Sequence, residues 1–145
     1  MGTISRNFSW SEFENSPIAK AKGILNVINT FEIRDSVKAL VLKILQPLRD
    51  AWGQPLHVNS GYRCPKLNAA VGGAATSQHT KGEAADIKAE HPVKLAQLAY
   101  DLGLPYDQMI IYPTFVHFSH KLHGEQRRQV LYNKSYKGRR ITTKK

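Results

Sequence analysis

Between Ile33 and Trp52 the apolar residues Val37, Leu40, Val41, Ile44, Leu45, Leu48 and Ala51 recur at steps of three and four, which predicts an amphipathic helix. A helix of this kind is stable when its stripe is buried, so the rest of the chain must supply something to cover it. Pro47 should bend this helix and Gly53 should end it. Upstream, Ser9 followed by Glu12 in SWSEF forms a capping box that starts a short helix. After Gly53 the pattern changes. LHVNSGY and the half-buried AADIKA read as strands, PKLNAAVGG as one or two helical turns, GAATSQHTKGE as a polar loop, and PVKLAQLAYDLG as a helix stopped by Gly103. QMIIY, FVHFSHK and RQVLY add three strands, and their links are too short for crossover helices, which predicts antiparallel pairing. The expected fold class is α+β, with N-terminal helices packed on a small antiparallel sheet.

A chain of 145 residues that is 41% hydrophobic forms one domain with a proper core, which excludes dominant disorder. Cys64 is the single cysteine, so neither an intrachain disulfide nor a Cys-only zinc site can form. No apolar run approaches the ~18 residues of a membrane span, and MGTISRNFSWSEFENSP has neither a basic start nor an apolar core segment. The expectation is cytoplasmic synthesis without a signal peptide, as a monomer. Of the net charge of +10, six units come from Lys134, Lys137, Arg139, Arg140, Lys144 and Lys145. This divides the chain into a domain over residues 1–133 and a basic tail over 134–145, suited to an anionic cell-wall polymer. Nucleic acid is disfavoured as a partner, because the excess charge is confined to the tail and no recognition motif accompanies it.

Two histidines sit in placed contexts. His79 lies in the polar loop with Ser77, Gln78 and Gly82, and Asp86 follows on the AADI strand, facing away from Ala85 and Ile87. In FVHFS, alternation puts Phe115, His117 and Ser119 on one face and Val116, Phe118 and His120 on the other. Two imidazoles and a carboxylate, with a fourth position left to water, make a catalytic zinc set. Spacing alone equally fits a solvated His79 and a packed His117.

The stretch NSGYRCPKLNAAVGGAATSQHTKGEAADI closely resembles the signature of the zinc D-alanyl-D-alanine carboxypeptidase and L-alanyl-D-amino acid endopeptidase family of peptidoglycan peptidases. The elements SGYR, LN, VGG, SQH and GEAADI carry the likeness, and DQMII and FVHFS are similar to the family's last ligand strand. SEF and the QPLRDAWG helix end extend it from about residue 8 to about residue 120. The resemblance implies that His79, Asp86 and His117 hold zinc at an edge of the sheet. It also implies that Arg63 supports the substrate carbonyl or oxyanion, where a planar cation stabilises developing charge. The implied activity is zinc-dependent hydrolysis of a peptide bond in the peptidoglycan stem, as carboxypeptidase or endopeptidase. A phage endolysin-like enzyme of this kind reaches the wall on release or through a holin-type partner. Ser77 and Gln78 hold the loop or contact substrate, and Cys64, His57, His91 and His123 receive no metal role.

One position departs from the pattern. Many members carry an acid three residues before the last zinc histidine, where this chain has Thr114, whose hydroxyl does not ionise near neutral pH. Tyr112 and Pro113 resemble a branch with Tyr-Pro before the strand. Asp107 is the nearest acid in the matching segment and the candidate catalytic base, with Glu83 behind it. The alternative is a zinc-binding or wall-binding module of the same fold with impaired catalysis.

Overall fold

A computed structural model describes residues 2–143. The helical part comprises α1 (Trp10–Glu14), α2 (Pro17–Lys22), α3 (Phe31–Leu40) and α4 (Gln46–Trp52), followed later by α5 (Pro65–Ala70) and α6 (Pro92–Asp101). A small ribbon of β1 (Thr3–Ser5) and β2 (Phe8–Ser9) precedes them. The main sheet contains β3 (Val58–Ser60), β4 (Ala84–Lys88), β5 (Gln108–Ile111), β6 (Phe115–Ser119) and β7 (Gln129–Tyr132), in the order β3-β4-β6-β5-β7.

The α+β class is as expected, and the capping box at α1 is present, with the Ser9 amide donating to Glu12 at 2.9 Å. The long stripe forms α3 and α4 joined by one wide turn at Val41–Leu45, whose last carbonyl contact is Gln46 N–H to Val41. Pro47 explains that turn, because it has no N–H for the carbonyl one turn back and its ring crowds that position. Gly53 closes α4 at φ 77°, a left-handed conformation that disfavours a side chain.

The sheet departs from the antiparallel expectation at its last strand. β7 pairs parallel to β5, with Met109 opposite Val130 and Ile111 opposite Tyr132. The short link at residues 120–128 still reverses the chain, as the sequence required, but it carries β7 past the end of β5 instead of beside β6. β7 therefore runs antiparallel to β6 and parallel to the neighbour it meets. β4 is also buried over Ala84–Ile87 and not half-buried, since one face meets the helices and the other is covered by the loop that carries His79.

Ala85, Ile87, Met109, Ile111, Val116 and Phe118 turn to the helices and join Val37, Leu40, Ile44, Leu45 and Leu48 in one core. Residues 134–143 of the expected basic tail lie against this body, while Lys144 and Lys145 fall outside the described residues. Ile141 is buried in the core, its amide donates to the Tyr132 hydroxyl at 3.0 Å, and Thr142 exchanges two hydrogen bonds with Gln97 of α6. The Arg140 guanidinium stacks 4.2 Å from the Tyr132 ring centre. Ile141→Ala is expected to lower stability by about 2 kcal/mol, the low end for truncating a buried isoleucine. Thermal unfolding checks this, and an unchanged midpoint would contradict the packing.

Candidate metal centre

β4 and β6 are hydrogen-bonded neighbours whose register sets Asp86 opposite His117. The alternation that sends Ala85, Ile87, Val116 and Phe118 into the core places these two polar side chains together on the other face. The centre therefore lies on the face of two interior strands, not at an edge of the sheet as expected. His79 reaches it from a tight helical turn, Gln78–Lys81, where the Ser77 hydroxyl accepts the His79 amide at 3.2 Å. Gly82 ends the turn at φ 74°, and a Cβ there would lie 2.9 Å from Ile33.

The His79 Nδ1–H donates to the Gly61 carbonyl at 2.7 Å, which fixes the ring and directs Nε2 inward, 3.4 Å from Asp86 Oδ1. His117 Nδ1 stands 2.9 Å from the same carboxylate oxygen. One ligand atom from each of the three residues falls within 4.8 Å of the other two, and this is the one such trio among the described residues. Burial pushes the Asp86 carboxyl up, but the hydrogen bonds and charge of His117 and His79 outweigh it and hold the group well below the ordinary carboxylate range. Two nitrogens and an anionic oxygen fit zinc, and a ring held through its other nitrogen by a backbone carbonyl is the usual support of a ligating histidine. Cys64 is occupied elsewhere, its sulfur accepting the Leu67 amide at the start of α5.

Arg63 borders the trio. Its Nε donates to Ser60 at 3.2 Å and its Nη1 to Asn68 at 3.2 Å, leaving Nη2 3.8 Å from Asp86 Oδ2. Asn68 is buried and itself tied to the Ala74 carbonyl, and Gly73 makes room for it, since a Cβ there would come within 2.1 Å of its oxygen. Sequence reasoning missed Asn68 and Ser60 as supports of the arginine. The visible signal was a polar residue between Leu67 and Ala69 of a short helix running into paired glycines.

The cleft in front of the trio is lined by Arg63, Ser77, Gln78, Gln108, Tyr112 and Arg127 beside the three ligands, and among the described residues Asp86 is the one carboxylate in its lining. Burial pushes the Tyr112 phenol up, so it remains a hydrogen-bond donor at neutral pH. Thr114 is exposed in the turn between β5 and β6. Glu83 accepts the Leu122 amide at 3.0 Å and the Gln78 amide group at 3.2 Å, and His120, just past the end of β6, is buried.

The structure does not bring Asp107, the expected base, into the cleft. Its carboxylate is fully buried and both oxygens are engaged by Arg127, whose Nη2 lies 2.7 Å from Oδ2 and whose backbone N–H lies 2.8 Å from Oδ1. Burial pushes this carboxyl up, but the Arg127 contacts, with Lys121 at 3.9 Å, outweigh it and keep its pKa below the ordinary value. His120 also lies within reach of the Asp107 charge, and burial keeps its imidazole below the ordinary value. A carboxyl depressed in the folded state stabilises the fold above its unfolded pKa, near 4, and loses that contribution as pH falls through the folded value. Asp107→Asn is therefore expected to be less stable at neutral pH by about 1–3 kcal/mol, and its melting temperature should fall less than that of the parent between about pH 5 and pH 2. Parallel melting curves across that range would exclude the ion pair as a source of stability.

Residues 6–119 match the family model described as Peptidase M15. No curated protein matches the chain.

Proposed function

We propose that this chain, which belongs to the Peptidase M15 family of zinc metallopeptidases, hydrolyses a peptide bond in the stem of peptidoglycan. The observation that carries this reading is the convergence of His79, Asp86 and His117 beside a doubly anchored arginine, inside the matched residues. Zinc held by the three would polarise a carbonyl and acidify water. The chain's own residues do the rest. The inward edge of Arg63 holds the carbonyl oxygen and offsets the charge that grows on it, at no reorganisation cost because Ser60 and Asn68 already fix the guanidinium. Gln78 and Tyr112 offer further donors along the cleft. The exposed cations Lys134, Lys137, Arg139 and Arg140 give an anionic wall polymer a surface to adhere to.

A second reading, a metal-binding module of the same fold with impaired hydrolysis, is favoured by one observation: among the described residues no carboxylate besides Asp86 lines the cleft. Incubating the zinc-loaded protein with purified muropeptides and weighing the products by mass spectrometry separates the two. A defined mass loss at one stem bond supports hydrolysis and identifies the bond, and intact muropeptides with one zinc bound per chain would favour the second reading.

A further inference from the structure

Arg127 lies outside the family match, in the link between β6 and β7, yet it lines the cleft. It also lines an adjoining cavity of about 640 Å³, and Thr76 and Gln78 border both, so one groove runs from the metal ligands past Arg127. Asp107 grips the guanidinium through Nε, at 3.1 and 3.2 Å, and through Nη2, at 2.7 Å. Asp107 is in turn locked to the sheet, its amide donating to the Ser119 carbonyl at 2.7 Å and its carbonyl accepting from Gln129 at 3.0 Å. Nη1 has no acceptor among the described residues, and the arginine side chain is 44% exposed although its partner is fully buried.

A pair built only to hold the fold together would not need its cation in the groove. Here one buried carboxylate faces two cations, Arg127 and Lys121, and both reach the adjoining cavity, where Lys81 adds a third. Two acids, Glu32 and Glu83, line the same cavity, and Glu83 has both oxygens engaged. The groove therefore presents a pre-oriented guanidinium with one nitrogen still open beside the reaction centre, the arrangement that selects a planar anion.

We propose that Arg127 is a specificity-determining residue that binds a free carboxylate of the substrate, and that Asp107 is the positioning residue that aims it. The substrate class is thus a peptide carrying a carboxylate near the bond that is cut, supplied either by its C-terminus or by a side chain. This rests on the peptidase reading above.

The test uses the full-length zinc-loaded protein and two matched pairs of stem peptides: C-terminal acid against C-terminal amide, and side-chain carboxylate against side-chain carboxamide. Amidation in one pair is expected to raise KM by roughly 10- to 100-fold with little change in kcat, the scale of one charge-assisted hydrogen bond. The pair that responds identifies which carboxylate is bound. Arg127→Met should raise KM for the acid peptide by a similar factor and abolish the discrimination. Because that variant strands a buried carboxylate, Asp107→Asn/Arg127→Met is measured alongside it. Calorimetric Kd values for the same peptides keep the two readings apart. If no peptide is cleaved, the hydrolytic reading fails, yet a carboxylate preference in Kd that disappears with Arg127 still supports this site. Equal KM and Kd within both pairs for the parent protein, or discrimination that survives loss of Arg127, overturns it.

Discussion

Replacing His79 by alanine is expected to remove stoichiometric zinc, weakening affinity by more than the 10- to 100-fold that outer-sphere partners alone contribute. Three features give His79 this weight. Its Nε2 is one of three atoms that converge within 4.8 Å, so its loss leaves two ligands where zinc needs at least three. Its Nδ1–H is committed to the Gly61 carbonyl at 2.7 Å, so the ring is oriented before any ion arrives. Its main-chain carbonyl accepts the Arg63 amide at 3.1 Å, which joins the metal turn to the segment between β3 and α5 that carries the arginine. That last contact is kept in the alanine variant, so the fold should survive and the loss should be one of ligation. Elemental analysis after gel filtration checks this, with Cys64→Ser, expected to retain one zinc per chain, as the control. An alanine variant that also retains one zinc per chain would refute the assignment.

How far this site could be read from the sequence depended on which relations were local. Alternation in AADI and FVHFS put Asp86 and His117 on the faces away from Ile87 and Val116, and the structure has them there, because a strand's period leaves no choice once one face is apolar. The register that makes them direct partners is not local, since β4 and β6 are separated by α6 and β5. Asp107 shows the opposite failure. It stands beside residues of the cleft strand β5, but its partner Arg127 lies in a link that no periodic pattern describes, so neither its burial nor its engagement was legible. The parallel β7 escaped for the same reason: the length of a link constrains chain direction, not which strand will be the neighbour.

Arg63→Ala is expected to leave zinc bound while lowering kcat on a stem peptide by roughly 100-fold or more, the scale of removing one oxyanion donor. The guanidinium is 3.8 Å from Asp86 Oδ2, too far for a close ion pair, so the ligand set does not depend on it. What it supplies is direction. Nε and Nη1 are anchored by Ser60 and Asn68, both at 3.2 Å, and the remaining nitrogen borders the cleft where a carbonyl oxygen would gather charge. Arg63→Lys should recover little, because one ammonium cannot hold two anchors and still present a donor. Gly73→Ala tests the same idea with Arg63 itself kept: its Cβ would lie 2.1 Å from the Asn68 oxygen and 3.1 Å from Arg63 Nη1, so the contact between the two must give way and Arg63 loses an anchor. Its kcat should fall between those of the parent and Arg63→Ala, with KM nearly constant, since an interaction that strengthens only as the carbonyl becomes tetrahedral contributes to the rate and not to ground-state binding. A normal kcat in Arg63→Ala would remove the arginine from the chemistry. A normal kcat in Gly73→Ala alone would instead show that Ser60 suffices to aim it.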